Sequence, residues 1–307
     1  IACERALHCL LFTVAALVLL YRMVLNLDVF APDPGDPLLN SWIMAWDVHA
    51  LTGGLRHFFD TNIFFPYPLT LAYSETLLGD LPLAGPLIAL TGNPLLACNA
   101  VVLASFILGG WCTYFAVSRM TGSGWAGLIA GTVYAFQLER FAALTHVQLL
   151  TTQWLPLVVY FADRQLRDGR WRDWLGLAVF FSLQFLCGMN VGLFAALLLA
   201  LLVAGYLVAG LARLSPHLLL QGGAFLAVTL AVNLPLAAPY FTLARQMQMQ
   251  RSVADLAPFS AAPLNYLTPD PAHWLYGSLG RTLAWGEMRG GEHFLFLKMR
   301  TVDANPE

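Results

Sequence analysis

Charge is what this chain has least of. Only 11% of its 307 residues are Asp, Glu, Lys or Arg, while 58% are hydrophobic. Roughly a quarter of a soluble domain is charged, because charge keeps its surface in water. With less than half that share, a soluble fold could not cover its outside, so lipid must solvate most of the surface. A net charge of −2 removes any bulk electrostatic case for binding nucleic acid. Lysine is nearly absent too, Lys298 being the only one, so the fixed cations are almost all Arg. Cys3, Cys9, Cys98, Cys112 and Cys187 lie in or beside apolar stretches without metal-ligand spacing. They read as small buried hydrophobes. A phosphate loop, a zinc signature, a nucleophile elbow and a dinucleotide fingerprint are all missing.

What the chain does have is long apolar runs. A helix needs about 20 apolar residues to cross roughly 30 Å of hydrocarbon. The first such run extends from about Ala6 to Leu27. Others lie near 95–117, 124–138, 147–163, 172–189, 190–212 and 217–240. The expected fold is therefore all-α and polytopic, with about seven transmembrane helices. Residues 1–244 form the membrane module, and 245–307 form a polar, Pro-rich loop region. The chain starts at Ile1, and a fragment is expected at one end at least.

Arg bias in short loops sets the expected orientation. The segment Asp163-Arg-Gln-Leu-Arg-Asp-Gly-Arg-Trp-Arg172 marks the cytoplasmic side, and Arg119 and Arg213 then fall inside as well. Residues 138–146 and 188–190 fall outside, as does a long first loop over about 28–94. One segment of that loop, 77–91, is apolar but short, and it contains Asp80, Pro82 and Pro86. A full crossing there would put the Arg markers on the wrong side. A re-entrant or interfacial helix covered by protein is expected instead.

The expected spans are nearly free of ionisable residues, whereas pumps and ion-coupled carriers usually hold such groups at mid-membrane. Polar chemistry collects in the outer loops. The first opens Asp33-Pro-Gly-Asp36-Pro-Leu-Leu-Asn40-Ser-Trp42 and continues to Trp46-Asp47. Asp36 before Pro37 has the form of a helix N-cap, a role that competes with catalysis and can coexist with it. At 3.6 residues per turn, Asp36, Asn40 and Asp47 share one face, and Trp42 and Trp46 share another suited to the headgroup belt. His49, Thr52 and Arg56 fall on a third face. Glu75 and Asp80 flank the re-entrant segment as site residues or caps. A second outer cluster holds Glu139, Arg140, His146, Gln148 and Gln153. Glu139 and Arg140 also read as a solvated loop pair, and His146 as a hydrogen-bonded interfacial residue. The final loop mixes aromatic and amide groups, which suit sugars and plain loop packing alike.

The layout resembles the conserved module of the GT-C glycosyltransferases, through the uncharacterised bacterial membrane proteins related to them. The likeness rests on Gly35-Asp36-Pro-Leu-Leu-Asn40-Ser-Trp42, Thr91-Gly-Asn-Pro94, Thr145-His146-Val-Gln148 with Trp154-Leu-Pro156, and Asn265-Tyr-Leu-Thr-Pro269. It implies a multi-pass enzyme of the bacterial inner membrane, working in the cell envelope. Such an enzyme takes a sugar from a polyprenyl-phosphate carrier at the outer face. The resemblance places the catalytic acid at Asp36, with Asp33 as alternative, acting as base or holding a divalent cation beside the phosphate. Arg56, His57, Arg140 and His146 are the candidates to neutralise that phosphate. Asn40, Asp47 and Glu75 are expected to line the substrate site. Related chains follow the Glu-x-x-Leu-Phe element with Pro-Gly and more spans, whereas here Glu292-His-Phe-Leu-Phe296 runs into Leu297-Lys298-Met-Arg300. Two other classes remain open: a transporter or flippase for a lipid-linked or small solute, and a membrane assembly protein without chemistry.

Overall fold

In the computed structural model, residues 2–55 and 57–247 are described, with side chains from Ala6 onward. Among them every regular element is helical. The chain opens with α1 (Ala2–Leu19) and the single turn α2 (Tyr21–Val24). The long loop contains α3 (Asp36–Gly53), 3₁₀ turns at Thr70–Tyr73 and Leu78–Asp80, and α4 (Leu81–Thr91). Then follow α5 (Pro94–Thr121), α6 (Gly124–Phe136), and the short α7 (Leu138–Ala142) and α8 (Val147–Leu150). The last four are α9 (Leu155–Asp168), α10 (Trp171–Cys187), α11 (Met189–Val208) and α12 (Pro216–Gln246). The described residues fall into two compact units, one of residues 2–136 with 144–243 and one that includes residues 137–143 with 244–247.

Of the seven runs expected to span, three form helices long and apolar enough to cross a membrane: α5, α11 and α12. Their outward side chains support that solvent. Leu193, Phe194, Leu197 and Leu201 on α11, with Leu219, Leu220 and Leu226 on α12, are exposed, and water would penalise so large a patch. The other runs are shorter. The run expected over 147–163 is not one helix. It breaks after Leu150, and α9 begins only at Leu155 with Pro156 in its first turn. Buried Thr151 and Gln153 occupy the gap. The segment 77–91 yields the Leu78–Asp80 turn followed by the 11 residues of α4, together about 22 Å of helix. That is short of the roughly 30 Å of hydrocarbon, and α4 packs against α3 and α5.

Close helix packing in the first unit depends on small residues. Phe12 of α1 fills a slot between α5 and α6, where a Cβ on Gly110 or on Gly131 would come within 2.7 Å of its ring. A second core joins α9, α10 and α11 through Val158, Ala162, Leu177, Phe181 and Ala195. Phe161 and Phe180 stack beside it at 5.5 Å. The α9–α10 hairpin holds its two ends apart by the length of α10, about 25 Å. Its Arg-rich turn is ion-paired. Arg164 reaches Asp173 at 2.7 Å and Arg167 reaches Asp163 at 2.7 Å. Asp163 also accepts from the Tyr206 hydroxyl of α11, and Gln221 of α12 donates to Gly169 O at 2.9 Å.

Candidate functional site

The site lies at the other end of that hairpin. Asp33 Oδ1 accepts from the Gly35 N–H at 2.7 Å, closing the tight turn that leads into α3. The helix then starts with Asp36 in its first turn and Pro37 behind it. The expected cap is corrected here. Gly35 holds the N-cap position without a side-chain bond. The Asp36 carboxylate turns elsewhere, to His146 Nδ1, 2.5 Å from its Oδ2. The two side chains remain 43% and 40% exposed, so a substrate can reach both. His146 is positioned by the residues after it, since Val147 and Leu150 of α8 are buried.

One turn along α3, about 6 Å, Asn40 is buried and donates to Gln148 Oε1 at 3.2 Å. The polar line continues from there. A Cβ on Gly188 would lie 3.0 Å from Gln148 O and 2.9 Å from Glu75 Oε2, so the Gly188 backbone lies close against both oxygens. Glu75 Oε1 accepts from Asn190 Nδ2 at 2.6 Å at the start of α11. Burial raises the Glu75 carboxyl above its ordinary range, opposed by the Asn190 and Met189 amides. Asp36–His146, Asn40–Gln148 and Glu75–Asn190 thus form a row of three separate hydrogen-bonded pairs, with Gly188 against both Gln148 and Glu75.

Asp47 shares the face of Asp36 and Asn40 but is fully buried, so the expectation that it lines a substrate site needs correcting. Its Oδ2 accepts from the Leu77 N–H at 3.2 Å, and its Oδ1 is buried without a partner. Burial pushes its pKa up to about 7. Trp42 and Trp46 do stack on each other, at 6.1 Å, but the Trp46 indole donates to Phe58 O at 2.8 Å. Half-buried, it fastens the loop to α3.

Among the phosphate candidates, His146 stands in the row. His57 is 80% exposed and pairs with Asp60 at 3.3 Å, a local surface contact. The Leu69 N–H, aided by His57, holds the Asp60 carboxyl below its usual range. Arg56 lies outside the described residues, and Arg140 belongs to the second unit, where it is buried on α7. Beneath Pro37, Asn40 and Val147 lies a crevice of about 10 Å³, room for one water at most. Among the described residues no three His, Cys, Asp or Glu side chains converge as metal ligands. A divalent cation at Asp36 would draw its other ligands from water and substrate phosphate.

Sequence reasoning named Asp36, Asn40, Glu75, His146 and Gln148, but not Asn190 as a site residue. Its only signal was the Gly188-Met-Asn190 interruption between two apolar runs. Comparison with protein-family models, with curated proteins and with solved structures found no match to this chain.

Proposed function

We propose that the chain is a membrane glycosyltransferase of the GT-C kind, moving a sugar from a polyprenyl-phosphate carrier to an acceptor at the outer face of a bacterial inner membrane. In this reading α1, α6, α9 and α10 complete a bundle of about seven spans around the three long apolar helices, and the Arg164 end faces the cytoplasm. The observation that carries the reading is the Asp36–His146 pair, two partly exposed side chains 110 residues apart in sequence that meet at 2.5 Å. Asp36 takes the proton of the acceptor hydroxyl as that oxygen attacks the anomeric carbon. The bond from that carbon to the phosphate oxygen breaks, and the lipid phosphate leaves with the bonding electrons. His146 holds Asp36 in position and, when protonated, offsets the charge of the departing phosphate.

Cell-free transfer from labelled polyprenyl-phosphate sugars, with the protein in lipid vesicles, tests this. Asp36→Asn should lower transfer at least 100-fold, in the range of a lost general base, while membrane insertion stays intact. Full activity of that variant removes Asp36 from the chemistry. Movement of the lipid-linked sugar across the bilayer without transfer replaces the enzyme with a flippase.

A further inference from the structure

The least expected feature of the described residues is a pair of buried carboxyls bracketing one short turn. Asp47 binds the Leu77 N–H from the α3 side. Asp80, three residues later, is 4% exposed and ends the Leu78–Asp80 turn. It sits among Thr151, Gln153 and Cys187. Each acid keeps one buried oxygen without a hydrogen-bond partner, and neither forms an ion pair among the described residues. Cys187, Gln153 and Thr151 donate toward Asp80 and partly offset its burial, but its Oδ2 receives none of them. Gln153 Oε1 and Gln184 Oε1 are also buried and unpartnered, while the Gln184 amide is spent on Thr151 O at 2.9 Å. A buried carboxylate with an orphan oxygen is costly, whereas a carboxylic acid can donate.

The same turn is wedged tightly. A Cβ on Gly79 would lie 2.6 Å from the Cys187 nitrogen and from Leu183 O, so the turn presses on the C-terminal end of α10. On its other flank Thr76 donates to the Tyr240 hydroxyl at 3.1 Å, and Glu75 is held by Asn190. The titratable groups facing the two acids are Cys98 of α5 and Cys187 of α10 toward Asp80, with Glu75 and Tyr240 of α12 near Asp47. All of these are neutral or acidic, and none offsets a second negative charge.

We propose that Asp47 and Asp80 each carry a proton in the closed state and act as a latch, clamping residues 75–80 between α3 and α10 and releasing them when the protons leave. Burial raises both carboxyls to about 7, so the latch opens on the alkaline side of neutrality. The sign follows from proton binding. The folded chain holds these protons more tightly than the unfolded one, so stability falls as pH rises from about 4 to about 7 and stays low above that. Because residues 75–80 carry Glu75 into the row, opening the latch dismantles the Glu75–Asn190 end of the site. The latch is a property of the fold and stands apart from the transferase reading.

Hydrogen exchange by mass spectrometry on the whole protein in lipid nanodiscs tests it without any substrate. Protection of amides 76–80 is compared at pH 6.0 and pH 8.5 after correction for intrinsic exchange. At least a tenfold loss at pH 8.5 is expected in the unsubstituted chain, with residues 97–106 of α5 unchanged as an internal reference. Asp47→Asn and Asp80→Asn, singly, should each reduce that pH dependence. Equal protection at both pH values overturns the proposal even if neither variant folds. So does a pH response that persists undiminished in both variants, or protection restored at pH 8.5 by sodium chloride but not by choline chloride, which would make the buried pair a sodium site.

Discussion

Asp33 and Asp36 are three residues apart, yet their carboxylates have different partners. Asp33 closes a backbone turn through Oδ1, a bond that an amide oxygen makes equally well, whereas Asp36 faces a titratable ring. Asp33→Asn is therefore expected to keep transfer within about twofold of the unsubstituted protein, because a surface change that preserves its hydrogen bond perturbs little. His146→Gln should lower kcat by about 10- to 100-fold with a smaller effect on KM, the signature of a group acting in the transition state. Steady-state transfer rates for both variants check this, and a dead Asp33→Asn with an active His146→Gln would reverse the ranking. The helix start at Asp36 was legible because Asp before Pro is a local signal. Its partnership with His146 was not, since periodicity relates residues a few positions apart and says nothing about a contact 110 residues away. Asp47 shows the opposite failure. Its place on the Asp36 face was correct in register, but register cannot tell an open face from one sealed by a returning strap such as residues 75–80.

Helices in this chain are joined by what their sequences leave out. Gly110, Gly127 and Gly131 look like ordinary apolar filler to a hydropathy count, yet each marks a place where a methyl group would collide. A Cβ on Gly131 would lie 2.8 Å from the Gly110 carbonyl as well as 2.7 Å from Phe12, and backbone cannot move aside as a side-chain tip can. Gly131→Ala is expected to destabilise by about 1–3 kcal/mol, the usual effect of overpacking. Gly53→Ala, at the end of α3 with open space around it, should be neutral or gain up to about 1 kcal/mol from better helix propensity. Thermal unfolding of the two variants in one detergent compares them directly. A lower midpoint for Gly53→Ala than for Gly131→Ala would mean that the α1–α5–α6 slot is looser than drawn. Element positions were well marked for α5, α11 and α12, whereas the run expected over Ala6–Leu27 ends as α1 at Leu19. The run over 147–163 shows what averaging conceals. Gln153 and Pro156 announce a break and a new helix start, but a window of 17 apolar-rich residues dilutes both.

At the scale of the whole chain, the organising device is the α9–α10 hairpin. It sends residues 163–173 to one end and brings residues 187–190 back to the other, where α3, His146 and Gln148 are waiting. Segments scattered over more than 100 residues of sequence therefore reach one place by topology, and the ion pairs of residues 163–173 and the Glu75–Asn190 contact form two polar sets at opposite ends of α10. If the hairpin crosses the bilayer as proposed, the two sets face different compartments. That is a strong claim, because α10 has only 17 residues and α9 only 14, short of the roughly 20 that an untilted span requires. Local thinning of the bilayer, or Arg and Trp side chains reaching for the headgroups at the Trp171 end, can make up such a deficit. Single-cysteine labelling decides it. With the native cysteines replaced, Phe65→Cys on the exposed loop tip and Arg170→Cys at the α9–α10 turn are each treated with a membrane-impermeant maleimide. In right-side-out vesicles only Phe65→Cys should label, and in inverted vesicles only Arg170→Cys. Both labelling from one side would mean that the hairpin lies along the membrane instead of through it. The two polar sets would then share a compartment, and the Arg-rich turn could no longer serve as the marker of the cytoplasmic face.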